Sequence, residues 1–142
     1  MIKTTIFVEP VGKGRPRMTV KKGRAIAYTP QKTAHAENQI RDAVAGKFYA
    51  FTRETPLRVE VTFYRARPKS TKKSVVFPVS RPDWDNYAKL LMDALEKFAY
   101  ENDSQIVTAI TKKRFVSAEP ISGNAGATLP RIELEISEEV EL

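Results

Sequence analysis

An amphipathic segment after Pro82 constrains the fold more than any other part of the sequence. Its apolar residues recur at the i, i+3, i+4 spacing of one helical face. They are Tyr87, Leu90, Leu91, Ala94, Leu95 and Phe98. On the opposite side, charged residues recur at every fourth position: Asp85, Lys89, Asp93 and Lys97. A helix with one apolar face has to bury that face against another layer, so this segment predicts a helix packed on further secondary structure.

Strand-like segments supply that second layer. They are residues 1–9, 57–66, 106–116 and 131–136. Within the second of these segments, Val59, Val61 and Phe63 alternate with polar residues, as in a half-buried strand. Another helix is predicted over residues 29–49, with Thr29 as its cap and Pro30 in its first turn. The order β-α-β-α-β-β predicts an α/β (α+β) fold, a single small domain over residues 1–142 with a mixed four-stranded sheet and two main helices.

The composition argues against several kinds of site. The sequence contains no cysteine, which excludes disulfides, thiolate metal sites and cysteine nucleophiles. A histidine-rich zinc site is not expected, because His35 is the single histidine, and its position near the start of a helix predicts a solvated side chain. No apolar run approaches the roughly 20 residues of a membrane-spanning helix. The first residues lack the apolar core of a signal peptide, so we expect a cytoplasmic protein that does not associate with membranes.

The net charge of +7 is distributed unevenly along the chain. Residues 1–35 carry eight basic residues and one acidic residue, and residues 58–81 carry seven and one. Residues 82–105 reverse this balance with six acidic and two basic residues. A basic chain with one compact acidic region is suited to grip a polyanion while concentrating carboxylates for another purpose. Surface charge that serves only solubility is the alternative interpretation.

Eleven of the 24 basic residues fall in two predicted loops, residues 10–28 and 67–81. The first is rich in glycine and the second contains two prolines. Their basic residues are candidates for contacts with phosphate groups. Solvated loops with no ligand are the alternative.

The sharpest chemical feature is the sequence Asp83-Trp84-Asp85-Asn86. Pro82 disfavours a helical conformation at the residue before it, so the chain is expected to enter this turn extended. In an extended Asp-x-Asp the two side chains point the same way. Neighbouring carboxylates repel each other unless they are protonated or bridged by a cation. Oxygen ligands without histidine or cysteine suit Mg²⁺, so the sequence predicts a magnesium site.

Two more charged residues extend this prediction, although each has an ordinary structural explanation. Lys89 lies one helical turn after Asp85, and Asp103 precedes the third strand, so both are expected to approach the same site. Alternatively, Asp85 is a helix N-cap, Asp103 is a turn residue, and Lys89 and Asp93 form surface ion pairs. Trp84 is either a core anchor or a residue that stacks on a base. Taken together, three aspartates, a lysine and two basic loops indicate a metal-dependent site for a phosphodiester.

Residues 81–107, RPDWDNYAKLLMDALEKFAYENDSQIV, resemble the RusA-type Holliday-junction resolvases, especially the form found in prophages. The segments PVGKGRPR, AYTPQKT and KKRF resemble the same family. The resemblance implies a small α/β homodimer that cuts four-way DNA junctions by paired symmetric nicks, in recombination and repair. It also implies Mg²⁺ as the cofactor, with Mn²⁺ as an alternative ion, and no organic cofactor.

Carried over position by position, the resemblance assigns roles to individual residues. It implies that Asp83, Asp85 and Asp103 bind the metal and that these aspartates and Lys89 are catalytic. Supporting roles are implied for two further motif positions, Asn86 and Asp93. Contacts with DNA are expected from Lys13, Arg15, Arg17, Arg67, Lys69, Lys72, Lys73 and Lys113.

This sequence departs from the family pattern at two positions. Many relatives have two consecutive aspartates where this chain has Asn102 and Asp103, which leaves one carboxylate fewer. Trp84 stands where an aliphatic residue is more usual. Two other functions compete with the resolvase interpretation. A non-catalytic DNA-binding module would use the aspartates only as caps and turn residues, and a flap or single-strand nuclease would use the same chemistry on another substrate.

Overall fold

The computed structural model describes residues 1–14, 17–28, 30–46 and 51–141. In chain order the elements are β1 (Ile2–Ile6), β2 (Arg17–Lys21), β3 (Arg24–Tyr28), α1 (Gln31–Val44), β4 (Leu57–Arg65), α2 (Trp84–Leu95), a 3₁₀ turn (Asp103–Gln105), β5 (Ile106–Phe115) and β6 (Arg131–Glu138). The predicted α+β fold, with two helices and a mixed four-stranded sheet, is confirmed. The four predicted strands correspond to β1, β4, β5 and β6.

The main sheet has the strand order β1-β6-β4-β5. Strand β4 pairs in parallel with β5 and antiparallel with β6, and β1 pairs antiparallel with β6. The predicted alternation in β4 is confirmed, because Val59, Val61 and Phe63 are buried while the residues between them are partly exposed. One face of the sheet therefore carries the core and the other face is open.

The two helices cover the core face, with α1 against β1 and α2 against β5. The apolar face of α2 is buried from Tyr87 to Leu95, and the Tyr87 ring stacks on Phe63 with 5.1 Å between ring centroids. Each such side chain contributes roughly 1.5–3 kcal/mol when it leaves water. Phe98 does not belong to this face, contrary to the prediction: α2 ends at Leu95, and the Phe98 side chain is 52% exposed.

The prediction of a loop over residues 10–28 is wrong for its second half. Strands β2 and β3 form a separate antiparallel hairpin. Its turn contains Lys22 and Gly23, both with positive φ, as a tight hairpin turn requires. Nearly every residue of the hairpin is exposed, so no core-facing pattern identified its strands in the sequence.

Helix α1 is shorter than predicted. It ends at Val44, and Gly46 follows with a positive φ, which is the usual place for a glycine after a helix. Thr29 and the last predicted residues, 47–50, lie outside the described residues, so the predicted Thr29 cap is not addressed. His35 is exposed, as expected. In the described ranges, no helix is both long enough and apolar enough to cross a bilayer.

Candidate active site

The start of α2 holds two of the predicted metal ligands. Asp83 is the N-cap residue, and its backbone oxygen accepts hydrogen bonds from the N–H groups of Asn86 and Tyr87. Its carboxylate makes no capping hydrogen bond. Because the helix begins at Trp84, Asp85 lies in the first helical turn. The predictions that the chain is extended through Asp85 and, alternatively, that Asp85 is the N-cap are therefore both wrong.

Both carboxylates are available for a ligand. Asp83 and Asp85 are exposed, and neither forms an ion pair with any residue that the structure describes. The helix dipole gives this end of α2 a partial positive charge that favours negatively charged side chains. The two side chains have no structural partner among the described residues, which is what a pair of metal ligands requires.

Strand β5 and the N-terminal loop position the start of α2. The ammonium group of Lys113 donates to the backbone oxygens of Ser80 and Pro82, each at 2.9 Å. From the other side, the Lys13 N–H donates to the Asn86 backbone oxygen at 3.2 Å. Gly12 fits into the space between the N-terminal loop and α2, because a Cβ at its position would lie 3.0 Å from the side chains of both Pro82 and Asn86. Asn86 is thus part of the contact that holds the loop.

Lys89 and Asp93, for which surface ion pairs were the alternative prediction, have different surroundings on α2. Lys89 is exposed one helical turn after Asp85. Asp93 lies one turn further on, and its carboxylate pairs with the ammonium group of Lys13 at 3.2 Å. Trp84 is 58% exposed, so the interpretation as a core anchor is wrong.

Asp103 is held at the opposite end of α2. It begins the 3₁₀ turn, and its N–H donates to a carboxylate oxygen of Glu96, the C-cap residue of α2, at 3.3 Å. Asn102 caps this turn by accepting from the Ser104 N–H at 2.9 Å. The asparagine that departs from the family pattern therefore has a structural role.

Gln105 fixes the position of the turn. Its amide nitrogen donates to the backbone oxygens of Thr52 and Thr55, at 2.8 and 3.0 Å. Its amide oxygen accepts from the N–H groups of Glu101 and Asn102. Gln105 is buried, and it ties the turn that carries Asp103 to the segment before β4.

The three aspartates do not meet within one copy of the chain. The 12 residues of α2 span about 18 Å at 1.5 Å per residue. Lys113 contacts Pro82, just before α2. The start of β5 at Ile106 lies about 23 Å from Lys113 along the strand, at 3.3 Å per residue. Among the described residues, no group of three histidine, aspartate or glutamate side chains could hold a metal ion. The expectation of convergence in one chain is wrong, because β5 starts at the end of α2 that is remote from Asp83.

Further carboxylates lie with Asp103 at the end of α2, around the buried hydroxyl of Tyr100. Burial raises the pKa of the Tyr100 hydroxyl, and the negative charges of Asp103, Glu96 and Asp93 raise it further. This hydroxyl donates a hydrogen bond to the Met92 backbone oxygen, so it remains protonated. Glu96 is a carboxylate that the sequence analysis missed; its only sequence signal was its position three residues after Asp93.

Lys13 is not a free phosphate contact, contrary to the prediction. Its ammonium group lies 2.6 Å from a carboxylate oxygen of Glu37, which is buried on α1 and also pairs with Arg41. Burial disfavours the charge of Lys13, but hydrogen bonds to Glu37 and Asp93 outweigh burial, so the pKa of Lys13 is raised. Glu37 was also missed by the sequence analysis. Its spacing of four residues from Arg41 was the available signal.

Three more of the predicted DNA contacts are engaged within the protein. Arg67 donates to the backbone oxygens of Val116 and Lys72 and lies over the Phe115 ring at 5.4 Å. The Lys73 ammonium pairs with the Glu119 carboxylate. Lys113 contacts the backbone before α2, as described above.

The remaining predicted cations are more accessible. Arg17, Lys69 and Lys72 are exposed and form no ion pair with another described residue. Arg15 lies outside the described residues. The hairpin adds three exposed cations: Lys21, Lys22 and Arg24.

A cleft of about 440 Å³ lies between the starts of α1 and α2. Arg17, Lys32, Pro82 and Asn86 are among its lining residues, so it joins the hairpin to the turn before Asp83. Its cationic lining suits a phosphate group. A larger cavity of about 540 Å³ lies on the open face of the sheet, but its three glutamates would repel a phosphodiester.

Comparison with known proteins adds to this geometry. The family described as endodeoxyribonuclease RusA matches residues 8–137, a range that includes both ends of α2 and the 3₁₀ turn. The chain is 35% identical over 130 residues to "Uncharacterized protein YqaN" of Bacillus subtilis (strain 168), covering 84% of this chain and 90% of that protein. It is 42% identical over 64 residues to "Crossover junction endodeoxyribonuclease rusA" of Lactococcus phage r1t, covering 44% of this chain and 48% of that protein.

Proposed function

Because this chain belongs to the endodeoxyribonuclease RusA family, we propose that it is a Mg²⁺-dependent nuclease that resolves four-way DNA junctions by paired nicks. One observation carries this proposal. Asp83 and Asp85 present two exposed carboxylates, without ion pairs to other described residues, beside a cationic cleft at the start of α2.

The chemistry of these residues fits a hard divalent cation. Carboxylate oxygens are the ligands that Mg²⁺ prefers, and it takes only one or two of them while keeping several waters. Bound Mg²⁺ supplies electrostatic stabilisation for phosphodiester hydrolysis. We assign Lys89 the role of binding the phosphate near Asp85, because its ammonium group is exposed one helical turn away.

The separation of Asp103 from the start of α2 leads to a two-chain site. We assign Asp103 as a ligand in the site of a neighbouring copy, where it completes the pair formed by Asp83 and Asp85. A two-fold dimer would then contain two identical sites, each built from both chains. Two sites related by two-fold symmetry match the need for two nicks on strands of like polarity.

Contacts with the phosphate backbone would position the junction. Exposed cations flank the cleft, from Arg17 on the hairpin to Lys32 on α1, while Lys69 and Lys72 lie on the loop before α2. Such contacts supply affinity without reading the base sequence. Recognition would therefore depend mainly on the shape of the branched DNA.

A cleavage assay on a labelled four-way junction tests the proposal. With Mg²⁺ the parent protein is expected to make paired symmetric nicks, and D85N is expected to lose cleavage while it still binds the junction. D42N, at an exposed position on α1, is the matched control and should cut like the parent. D85N that cuts as fast as the parent would show that the site assignment is wrong.

The same assay separates the proposal from its rivals. Junction binding without cleavage under any metal or pH would identify a non-catalytic DNA-binding module. Competition among junction, flap and duplex substrates identifies the preferred substrate. A stronger preference for flaps or single strands would retain the chemistry and reject junction resolution.

A further inference from the structure

The apolar loop, residues 75–79, presents four exposed apolar side chains just before the candidate site. Val79 is 97% exposed and Phe77 is 61% exposed, while Pro78 between them is buried. Single exposed apolar residues are common on protein surfaces, but a contiguous patch of them is typical of an interaction surface. The apolar loop is therefore a candidate contact surface.

Hydrogen bonds to strand β5 hold the apolar loop in place. The Phe115 N–H donates to the backbone oxygen of Val76 at 2.8 Å. Just after the apolar loop, the ammonium group of Lys113 donates to the backbone oxygen of Ser80 at 2.9 Å. Both ends of the segment are thus tied to the same strand, so its exposed side chains have a defined position.

The ring of Phe77 is held by a cation. The guanidinium group of Arg114 lies over this ring, 4.8 Å from its centroid, which is a favourable cation–π distance. Because Phe77 is still 61% exposed, much of its ring is free to contact a second flat group. Exposed aromatic rings beside cations are the usual platforms on which proteins stack unpaired bases.

The charges around the apolar loop are all of one sign. Residues 66–82 contain five basic residues and no acidic residue: Arg67, Lys69, Lys72, Lys73 and Arg81. Of these, Lys69, Lys72 and Arg81 are exposed. Such a surface fits a partner that carries both apolar faces and negative charge. DNA with unstacked bases provides both, because its base faces are apolar and its phosphates are anionic.

The apolar loop is close to the start of α2. Val79 precedes Asp83 by four residues, so their Cα atoms are at most about 14 Å apart at 3.6 Å per residue, or about four base steps of 3.4 Å along a DNA strand. A phosphodiester bound at the start of α2 therefore places the neighbouring bases within reach of the apolar loop.

We propose that Phe77 and Val79 pack against unstacked bases at the branch point of a four-way junction, and that this contact makes the protein prefer branched DNA to continuous duplex. In a continuous duplex the same contact requires the opening of a base step, which is costly. At a branch point the stacking between arms is already interrupted, so that cost is smaller. The inference deepens the proposed function and rests on it in one respect: branched DNA is the substrate proposed above.

Binding titrations without divalent metal test this preference, since no DNA is cut. Fluorescence anisotropy compares a labelled four-way junction with a duplex that has the sequence of two of its arms. F77A and V79S should each weaken junction binding by about fivefold or more and change duplex binding by less than about twofold. F77Y keeps the ring and should retain the preference. V140S makes the same change as V79S at another exposed valine and is the matched control.

Photocrosslinking of the parent protein locates the contact without any variant. A junction with 5-iodouracil at the branch point should crosslink to Phe77, and fragment-ion mass spectrometry identifies the residue. The same base placed in the middle of an arm should give no crosslink to Phe77. Crosslinks from the branch point to the β2–β3 hairpin or to Trp84, with none in the apolar loop, would overturn the proposal.

The variants provide further grounds for rejection. Circular dichroism verifies that F77A and V79S are folded. Unchanged junction binding in both folded variants, or an equal loss for junction and duplex, would overturn the proposal. Sedimentation equilibrium that shows an altered oligomeric state in either variant would assign the apolar loop to a contact between copies and reject the DNA contact. A parent that shows the preference and the crosslink but cuts no junction would uphold this contact and reject the nuclease.

Discussion

At the scale of single residues, Lys13 shows how charge composition can mislead. It lies among glycines and arginines in the sequence, which predicted a phosphate contact. In the fold its ammonium group is instead enclosed by carboxylates from both helices, Glu37 and Asp93. These partners are 24 and 80 positions away along the chain, so no local pattern could reveal them.

Replacing Lys13 by methionine should destabilise the fold. The change leaves the buried carboxylate of Glu37 with Arg41 as its remaining cation, and we expect a loss of about 1–3 kcal/mol in the free energy of unfolding at pH 7. Urea denaturation measures this loss. K32M, at an exposed position on α1, is the control and should change stability by less than about 0.5 kcal/mol.

The effect of Lys13 should also depend on pH. The pKa of Lys13 is higher in the folded protein than its usual value of 10.5 in the unfolded chain. Its contribution to stability is therefore complete at neutral pH and is lost as the pH rises above that value. The stability difference between the parent and K13M should be smaller at pH 11 than at pH 7. A difference that grows with pH would contradict the ion-pair assignment.

At the scale of secondary structure, burial decides which elements can be predicted. Helix α2 and strand β4 bury one regular face, and their sequence periodicity identified both correctly. The β2–β3 hairpin buries almost none of its side chains, so its sequence has no core-facing pattern and a loop was predicted there. The same exposure makes the hairpin available for a ligand.

The register of the hairpin places several cations on one face. Arg17 pairs with Tyr28 and Lys21 pairs with Arg24, and alternate residues of a strand share a face. We expect that R17Q and R24Q each weaken junction binding and reduce the salt dependence of binding by about one phosphate contact. Titrations of fluorescent junction DNA at several salt concentrations measure this slope.

The matched control for these hairpin variants is K3Q, which removes an exposed charge beside the glutamates of the open sheet face. It should leave the slope unchanged. Equal slopes for the parent, R17Q and R24Q would exclude the hairpin from the DNA-binding surface.

At the scale of the whole molecule, the arrangement of the candidate site could not be read from the sequence. The motif singled out Asp83, Asp85 and Asp103, but their separation depends on the direction of β5 relative to α2. Spacing along the chain does not determine that direction.

Mixing two inactive variants tests the two-chain site most directly. D85N and D103N alone should each fail to cut a junction. After subunit exchange, each mixed dimer contains one site with both lesions and one intact site. An equal mixture should therefore recover about one quarter of the parent's nicking activity, as single nicks.

A mixture of D83N and D85N is the control, since both lesions fall in the same half of each site and no intact site can form. Recovery by the D85N and D103N pair, with none in this control, is the result that the account predicts. No recovery by that pair, although both variants still form dimers and exchange subunits, would contradict it.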